Sequence, residues 1–192
     1  ELVETLIAAD IFPKSVRAAY EKERELWLDR KGEYQNYIEA VVKTFMSNLK
    51  GVAYGEFKEA VKETIEKHKD RTYRYSRDLI KDLKKEKYFL LAISGSPKGI
   101  LDSFCEKLGF DKVYGKIYEL GPSDRFTGKM VADHLIMNKA LILQRAVKKE
   151  GLTLEKSIGV GDTEADIPFL ELVETAICFN PNEKLYRAAR RN

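Results

Sequence analysis

Asp162 and Asp166 close the segment Ser157-Ile-Gly-Val-Gly-Asp-Thr-Glu-Ala-Asp166, in which a short apolar run ends in Gly-Asp and a second acid follows four residues later. A buried strand of this kind delivers carboxylates to the carboxyl edge of a sheet, where open α/β sheets bind ligands. Two acids there, with room left by Gly159 and Gly161, suit a hard cation held by oxygen ligands. Spacing alone would not say so. Asp78 and Asp82 are also four apart, but they fall on an amphipathic helix among lysines, where a solvated face explains them. Placement directly after a strand separates the two pairs.

Two further sites belong with the acids. Ser94-Gly-Ser-Pro97 follows an apolar run and precedes a helix. A hydroxyl and free backbone N–H groups at a helix N-terminus bind anions, although Ser before Pro is also an ordinary way to cap a helix. Lys139 lies in Leu135-Ile-Met-Asn-Lys-Ala-Leu-Ile142, among apolar neighbours. Such a lysine either snorkels to the surface or carries charge into a site. Together, a hydroxyl, an ammonium and two acids make a constellation for metal-assisted phosphoryl transfer. Cation and lysine neutralise phosphate charge, while hydroxyl and amides orient it.

The elements that must position these residues fall into two styles. Residues 1–72 read as helix throughout. Tyr34, Tyr37, Ile38, Val41, Val42, Phe45 and Leu49 share one helical face. Val16, Ala19, Tyr20, Glu23 and Trp27 make a weaker stripe after Pro13, and Phe57, Val61, Ile65 and His68 a third. Gly32, Gly51 and Gly55 punctuate the segment, giving an antiparallel bundle of about four helices with its aromatic stripes in the core.

From residue 73 helices and strands alternate. Helices are expected at 75–86, 97–108, 135–149 and 164–172, with another from about residue 181. Strands are expected at 88–93, 158–160 and 175–179, and two short strands at 112–120 and 126–131 form a local excursion. The alternation predicts an α/β fold: a Rossmann-like parallel sheet with helices on both faces, joined to the α-helical bundle. The expected division is 1–72 for the bundle and 73–192 for the sheet.

Composition excludes several classes. Basic residues number 34 against 31 acidic, and a net charge of +3 is too small to imply nucleic acid. No run is apolar enough to span a bilayer and no signal-peptide pattern is present, so no membrane role is expected. Cys105 and Cys178, each in apolar surroundings, suit free thiols in a reducing compartment, and a cytoplasmic location is expected.

The order Ser94-Gly95, then Lys139, then Gly161-Asp-x-x-x-Asp166 resembles motifs two, three and four of the haloacid dehalogenase superfamily, in its phosphoserine-phosphatase-like branch. Arg125-Phe-Thr-Gly128, Asp166-Ile-Pro-Phe-Leu-Glu-Leu-Val173 and Phe179-Asn-Pro-Asn182 support the likeness, and the helical segment resembles that branch's cap. The resemblance implies a magnesium-dependent phosphatase acting on a small phosphorylated metabolite. An aspartate nucleophile forms an aspartyl-phosphate that water hydrolyses, with a second aspartate two residues later as general acid and base. By position, Ser94, Gly95 and Lys139 bind phosphate, Lys139 and Asp162 are catalytic, and Asp162 and Asp166 serve Mg2+. The resemblance implies Asp162 as the direct ligand, with Asp166 binding through water or orienting Lys139.

The chain departs from that pattern. No Asp-x-Asp occurs in its 192 residues, so motif one and its strand are expected immediately upstream, in about 15–25 further residues. Without them the chain is expected to fold poorly, to be inactive, and to show no direct pairing between the strands ending at Ser94 and Asp162. Ala165 stands where phosphoserine phosphatases tend to have Asn, Ser94-Gly-Ser-Pro97 replaces their Ser-Gly-Gly, and an acid and arginine pair for a serine head group has no clear counterpart. Phosphoserine is therefore not assigned as substrate. Phosphotransfer to an acceptor alcohol on the same scaffold, or a non-catalytic binding module, are the alternative functions.

Overall fold

A computed structural model describes residues 1–131 and 138–191. Four helices come first: α1 (Leu2–Ala8), α2 (Ala18–Leu28), α3 (Tyr34–Leu49) and α4 (Tyr54–His68). They are followed by α5 (Arg74–Lys85), β1 (Leu91–Pro97), α6 (Lys98–Leu108), β2 (Lys112–Leu120) and β3 (Phe126–Val131). The remainder comprises α7 (Lys139–Glu150), β4 (Ile158–Gly161), α8 (Ile167–Leu170), β5 (Thr175–Cys178) and α9 (Glu183–Ala189). The expected helix over 135–137 lies outside the described residues. The chain groups into two compact units, residues 1–92 with 96–131, and residues 93–95 with 132–192. This grouping runs across the boundary expected at residue 72.

The first unit is built on an aromatic and aliphatic core. Leu6, Phe12, Tyr20, Leu49, Phe57 and Val61 are all buried within one cluster. Polar ties set the register of its helices. The buried hydroxyls of Thr5 on α1 and Thr64 on α4 meet at 2.9 Å. The Glu4 carboxylate accepts from the hydroxyl of Tyr20 on α2 and from Arg17, the latter at 2.6 Å. The expected stripes are only partly core. Phe45 and Leu49 are buried, but Trp27, Tyr34 and Val42 are exposed. Trp27 instead stacks on Tyr37, with ring centroids 5.5 Å apart and planes 8° from parallel. Its ring also meets that of Tyr34 on α3, with centroids 5.1 Å apart, in an aromatic cluster at the surface.

The β2–β3 hairpin belongs to this unit in a way its local pattern does not reveal. The strands pair antiparallel, with Tyr118 opposite Met130. Phe126 is buried in the helical core, its ring 5.1 Å from that of Phe57. Backbone bonds fix it there: Gly51 N–H donates to the Phe126 carbonyl at 2.8 Å, and Phe126 N–H donates to the Val52 carbonyl at 3.0 Å. The guanidinium of Arg125 closes over the same loop, donating to the Gly51 carbonyl at 2.6 Å. The segment expected as an excursion is thus a hydrogen-bonded part of the helical core.

The fold is mixed α/β, but its strands form two sheets among the described residues. One has the order β1-β2-β3, and the other is the parallel pair β4–β5, with Gly161 opposite Cys178. Among the described residues no pairing joins β1 to β4. β1 also runs later than expected, over 91–97 rather than 88–93, so Ser94 and Gly95 lie within the strand and not in a turn after it. It is half-exposed rather than covered on both faces. In the second unit, Ile142, Leu143 and Ala146 of α7, Leu170 of α8 and Leu185 of α9 are buried.

Candidate active site

The carboxyl end of β4 carries the chemistry. After Gly161 the chain turns through Asp162 and Thr163 into a 3-10 turn at Glu164–Asp166. Thr163 caps that turn, and Asp166 reaches back to the Thr163 backbone in a capping box. Asp166 Oδ2 accepts the N–H groups of Asp162 at 2.9 Å and Thr163 at 3.0 Å. Its other oxygen, Oδ1, accepts from Lys139 Nζ. The Asp166 side chain is 2% exposed and that of Lys139 25%. A charge buried so deeply persists only when paired and hydrogen-bonded, and this one is both.

Lys139 arrives from a different element. It is the first residue of α7, not the middle of a helix, and Asn138 caps that helix by accepting from Leu141 N–H at 3.1 Å. An ammonium at a helix N-terminus sits against the unfavourable end of the helix dipole. The Asp166 carboxylate offsets that cost and fixes where the ammonium points.

The two acids of the loop differ in state. Burial opposes ionisation of Asp166, but hydrogen bonds from Lys139 and from the Thr163 and Asp162 amides outweigh it and hold the carboxyl below its usual range. Burial pushes the Asp162 carboxyl up, and the adjacent Asp166 charge pushes it further. Asp162 is the more exposed of the two.

Gly161 explains how Asp166 fits. A Cβ at position 161 would lie 2.6 Å from Asp166 Cβ and 2.9 Å from its Oδ2. The space left by this glycine is therefore filled by the carboxylate. The space at Gly159 is filled by Val173, Phe169 and Leu170, the nearest of which would be 2.9 Å from a Cβ. At both glycines the position of a missing Cβ is thus taken by neighbouring side chains. The glycines' lack of a side chain lets the acid and α8 pack closely onto β4.

Lys139, Asp162 and Asp166 come together directly, and Ser94 and Gly95 group with the same unit. Among the described residues no three acid, histidine or cysteine side chains cluster as a ready-made metal cage. Thr163, which sequence spacing marks only as the start of a capping box Thr163-x-x-Asp166, also lies at the site through its bonds to Asp166. Both cysteines are free thiols, Cys105 buried and Cys178 half-buried. Among the described residues, no helix is long and apolar enough to cross a membrane.

The profile of the haloacid dehalogenase-like hydrolases matches residues 4–171. The chain belongs to that family. Curated relatives include a phosphoserine phosphatase of Archaeoglobus fulgidus, 30% identical over 57% of this chain and 32% of its own length. Another is a phosphoserine phosphatase of Methanocaldococcus jannaschii, 30% identical over 54% of this chain and 49% of its own length. The chain thus spans less than half the length of either relative. Among solved structures, a substrate-bound phosphoserine phosphatase complex covers 97% of this chain and is itself covered to 82%, at 23% identity and TM-score 0.64. A Bordetella pertussis protein of unknown function covers 93% and is covered to 80%, at 16% identity and TM-score 0.73. At these identities the structural likenesses establish the fold.

Proposed function

We propose that this haloacid dehalogenase-like protein is a magnesium-dependent phosphatase that hydrolyses a small phosphomonoester through an aspartyl-phosphate. The observation that carries the reading is the Lys139–Asp166 ion pair, locked by two backbone amides beside Asp162 at a strand end. Free lysines wander, whereas this one is held at a fixed point where it can neutralise a phosphoryl oxygen. The phosphatase names of the curated relatives point the same way.

In this reading the Lys139 ammonium and the Ser94 hydroxyl bind phosphate oxygens, with the Gly95 N–H alongside. Asp162 would hold Mg2+. It offers an accessible hard oxygen whose ionised form is disfavoured by burial and by Asp166, and a cation would relieve both. Asp166 has both oxygens engaged by Lys139, Asp162 and Thr163, and would act by orienting Lys139 and the Asp162 loop. One carboxylate suits Mg2+, which keeps several waters and takes the rest of its shell from few protein groups and from phosphate. When bound, the ion would supply charge neutralisation for the attacked phosphate.

The nucleophile would be an aspartate of an Asp-x-Asp segment outside these 192 residues. Its carboxylate oxygen forms a bond to phosphorus as the P–O bond to the leaving alcohol breaks. The second aspartate of the pair gives the alcohol its proton, then takes one from the water that cleaves the aspartyl-phosphate. Residues 1–72 would supply the cap and residues 73–192 the catalytic domain, apart from the β2–β3 hairpin that completes the helical core, in a cytoplasmic enzyme acting on a small phosphorylated metabolite.

The test is hydrolysis of an aryl phosphate by the protein with its natural N-terminus, followed by a panel of phosphorylated metabolites. Turnover that requires magnesium and is lost with Lys139→Ala is the expected result. Turnover that is indifferent to chelator, or intact without Lys139, would sink the reading.

A further inference from the structure

Asn182 sits in the loop between β5 and α9 and makes three bonds from one residue. Its backbone N–H donates to the Asp162 carbonyl at 2.8 Å. Its side-chain Nδ2 donates to the Glu164 carboxylate. Its Oδ1 accepts from Leu185 N–H at 2.9 Å, capping α9. Lys184 reinforces the clasp, donating to Glu164 Oε1 at 3.0 Å. One turn earlier, Phe179 N–H donates to the Gly161 carbonyl at 2.9 Å.

The consequence for Asp162 is geometric. Its peptide N–H is held by Asp166 Oδ2 and its carbonyl by Asn182 N–H, so the backbone is pinned on both sides while the side chain remains accessible. Glu164, two residues on, is tied to the same loop by the Asn182 side chain. The amide side chain suits this double work, since it presents an acceptor to the helix and a donor to a carboxylate from two separate atoms at once. Serine or aspartate would cap α9 equally well but would release or repel Glu164.

We propose that Asn182 is a positioning residue for the Asp162 carboxylate, and through it for the divalent cation; this rests on the phosphatase reading above. It touches neither substrate nor metal. It acts by holding the Asp162–Glu164 turn against the β5–α9 loop, as residues behind metal ligands commonly do.

The experiment compares full-length wild type with Asn182→Ser and with Glu164→Ala, which opens the same clasp from the other side and leaves the α9 cap intact. Magnesium binding is measured by calorimetry without substrate, and the magnesium dependence of aryl phosphate hydrolysis is measured in parallel. Amide hydrogen exchange across 162–164 and the unfolding temperature complete the set. Both variants should bind magnesium about tenfold more weakly, with faster exchange at 162–164. The half-saturating aryl phosphate concentration at saturating magnesium should not change. Asn182→Ser should melt close to wild type, since serine is as good a cap. Unchanged magnesium affinity in both variants overturns the proposal. If wild type itself neither binds magnesium nor turns over, the phosphatase reading fails instead, and exchange decides the positioning claim. Unaltered exchange at 162–164 overturns it.

Discussion

Asp166 packs flush against Gly161: a methyl group at position 161 would overlap the Asp166 Cβ at 2.6 Å. The nearest atoms belong to a side chain clamped by four donors, so it cannot swing aside cheaply. Gly161→Ala should therefore cost about 1–3 kcal/mol, as overpacking of a filled site does. It should also reduce turnover by displacing Lys139. Chemical denaturation and kcat together check this. A variant as stable and active as wild type would mean that Asp166 has another seat.

Lys139→Ala should lower turnover by orders of magnitude and also destabilise the fold. Its cost should fall at or below the ~3–5 kcal/mol of a broken buried pair, because two amides still bind Asp166. Adding Asp166→Asn removes the stranded charge. The double variant is expected to be more stable than Lys139→Ala alone, which a double-mutant cycle by urea unfolding measures.

Asp162→Asn should abolish magnesium-dependent hydrolysis without lowering the stability of the metal-free protein. The substitution removes a carboxylate that sits beside the Asp166 charge. A marked fall in metal-free melting temperature would contradict this account.

Phe126→Ala should cost about 3–5 kcal/mol, the range for emptying a buried aromatic site. It should also loosen the hairpin, since the ring lies within the Phe57 and Tyr118 cluster. Thermal melts and hydrogen exchange at Gly51 and Phe126 report the two effects.

A surface carboxylate gives a pH test. Lys107 on α6, and secondarily Lys69, hold the Glu66 carboxyl down to about 2. A folded-state pKa below the unfolded value means stabilisation that is complete above about pH 4.3 and lost as pH falls toward the folded value. Glu66→Gln should therefore narrow the difference in melting temperature between pH 6 and pH 2.5, and a carboxyl titration by NMR should place Glu66 well below the other glutamates.

Much of this molecule was legible because its periodic elements carry their own signals. The strands at 112–120 and 126–131 and the parallel pair at the chain's end follow from apolar runs bounded by turn residues. Lys139, Asp162 and Asp166 were legible as a group through their order and through the placement of the acids after a strand, since a lone lysine in apolar surroundings can equally snorkel to the surface. Partners distant in sequence were not legible. Nothing near Asn182 announces that its side chain reaches Glu164, and nothing near Phe126 announces that it fills a helical core. Trp27 and Tyr34 fit a core pattern yet stay at the surface, because helical spacing says which residues share a face and not whether that face is covered.

The Phe126 contact also bears on the order in which the chain can fold. Residues 1–72 contain all four bundle helices, but the cavity beside Phe57 and Phe45 is filled by a side chain translated much later. On the ribosome the bundle would emerge with an unfinished aromatic core and wait, exposed, until the hairpin has been synthesised. That interval is where a partly folded chain is most prone to aggregate or to recruit a chaperone. It also argues against expressing the helical segment alone: a fragment cut at residue 72 would carry an open hydrophobic cleft at the site that Phe126 is built to close.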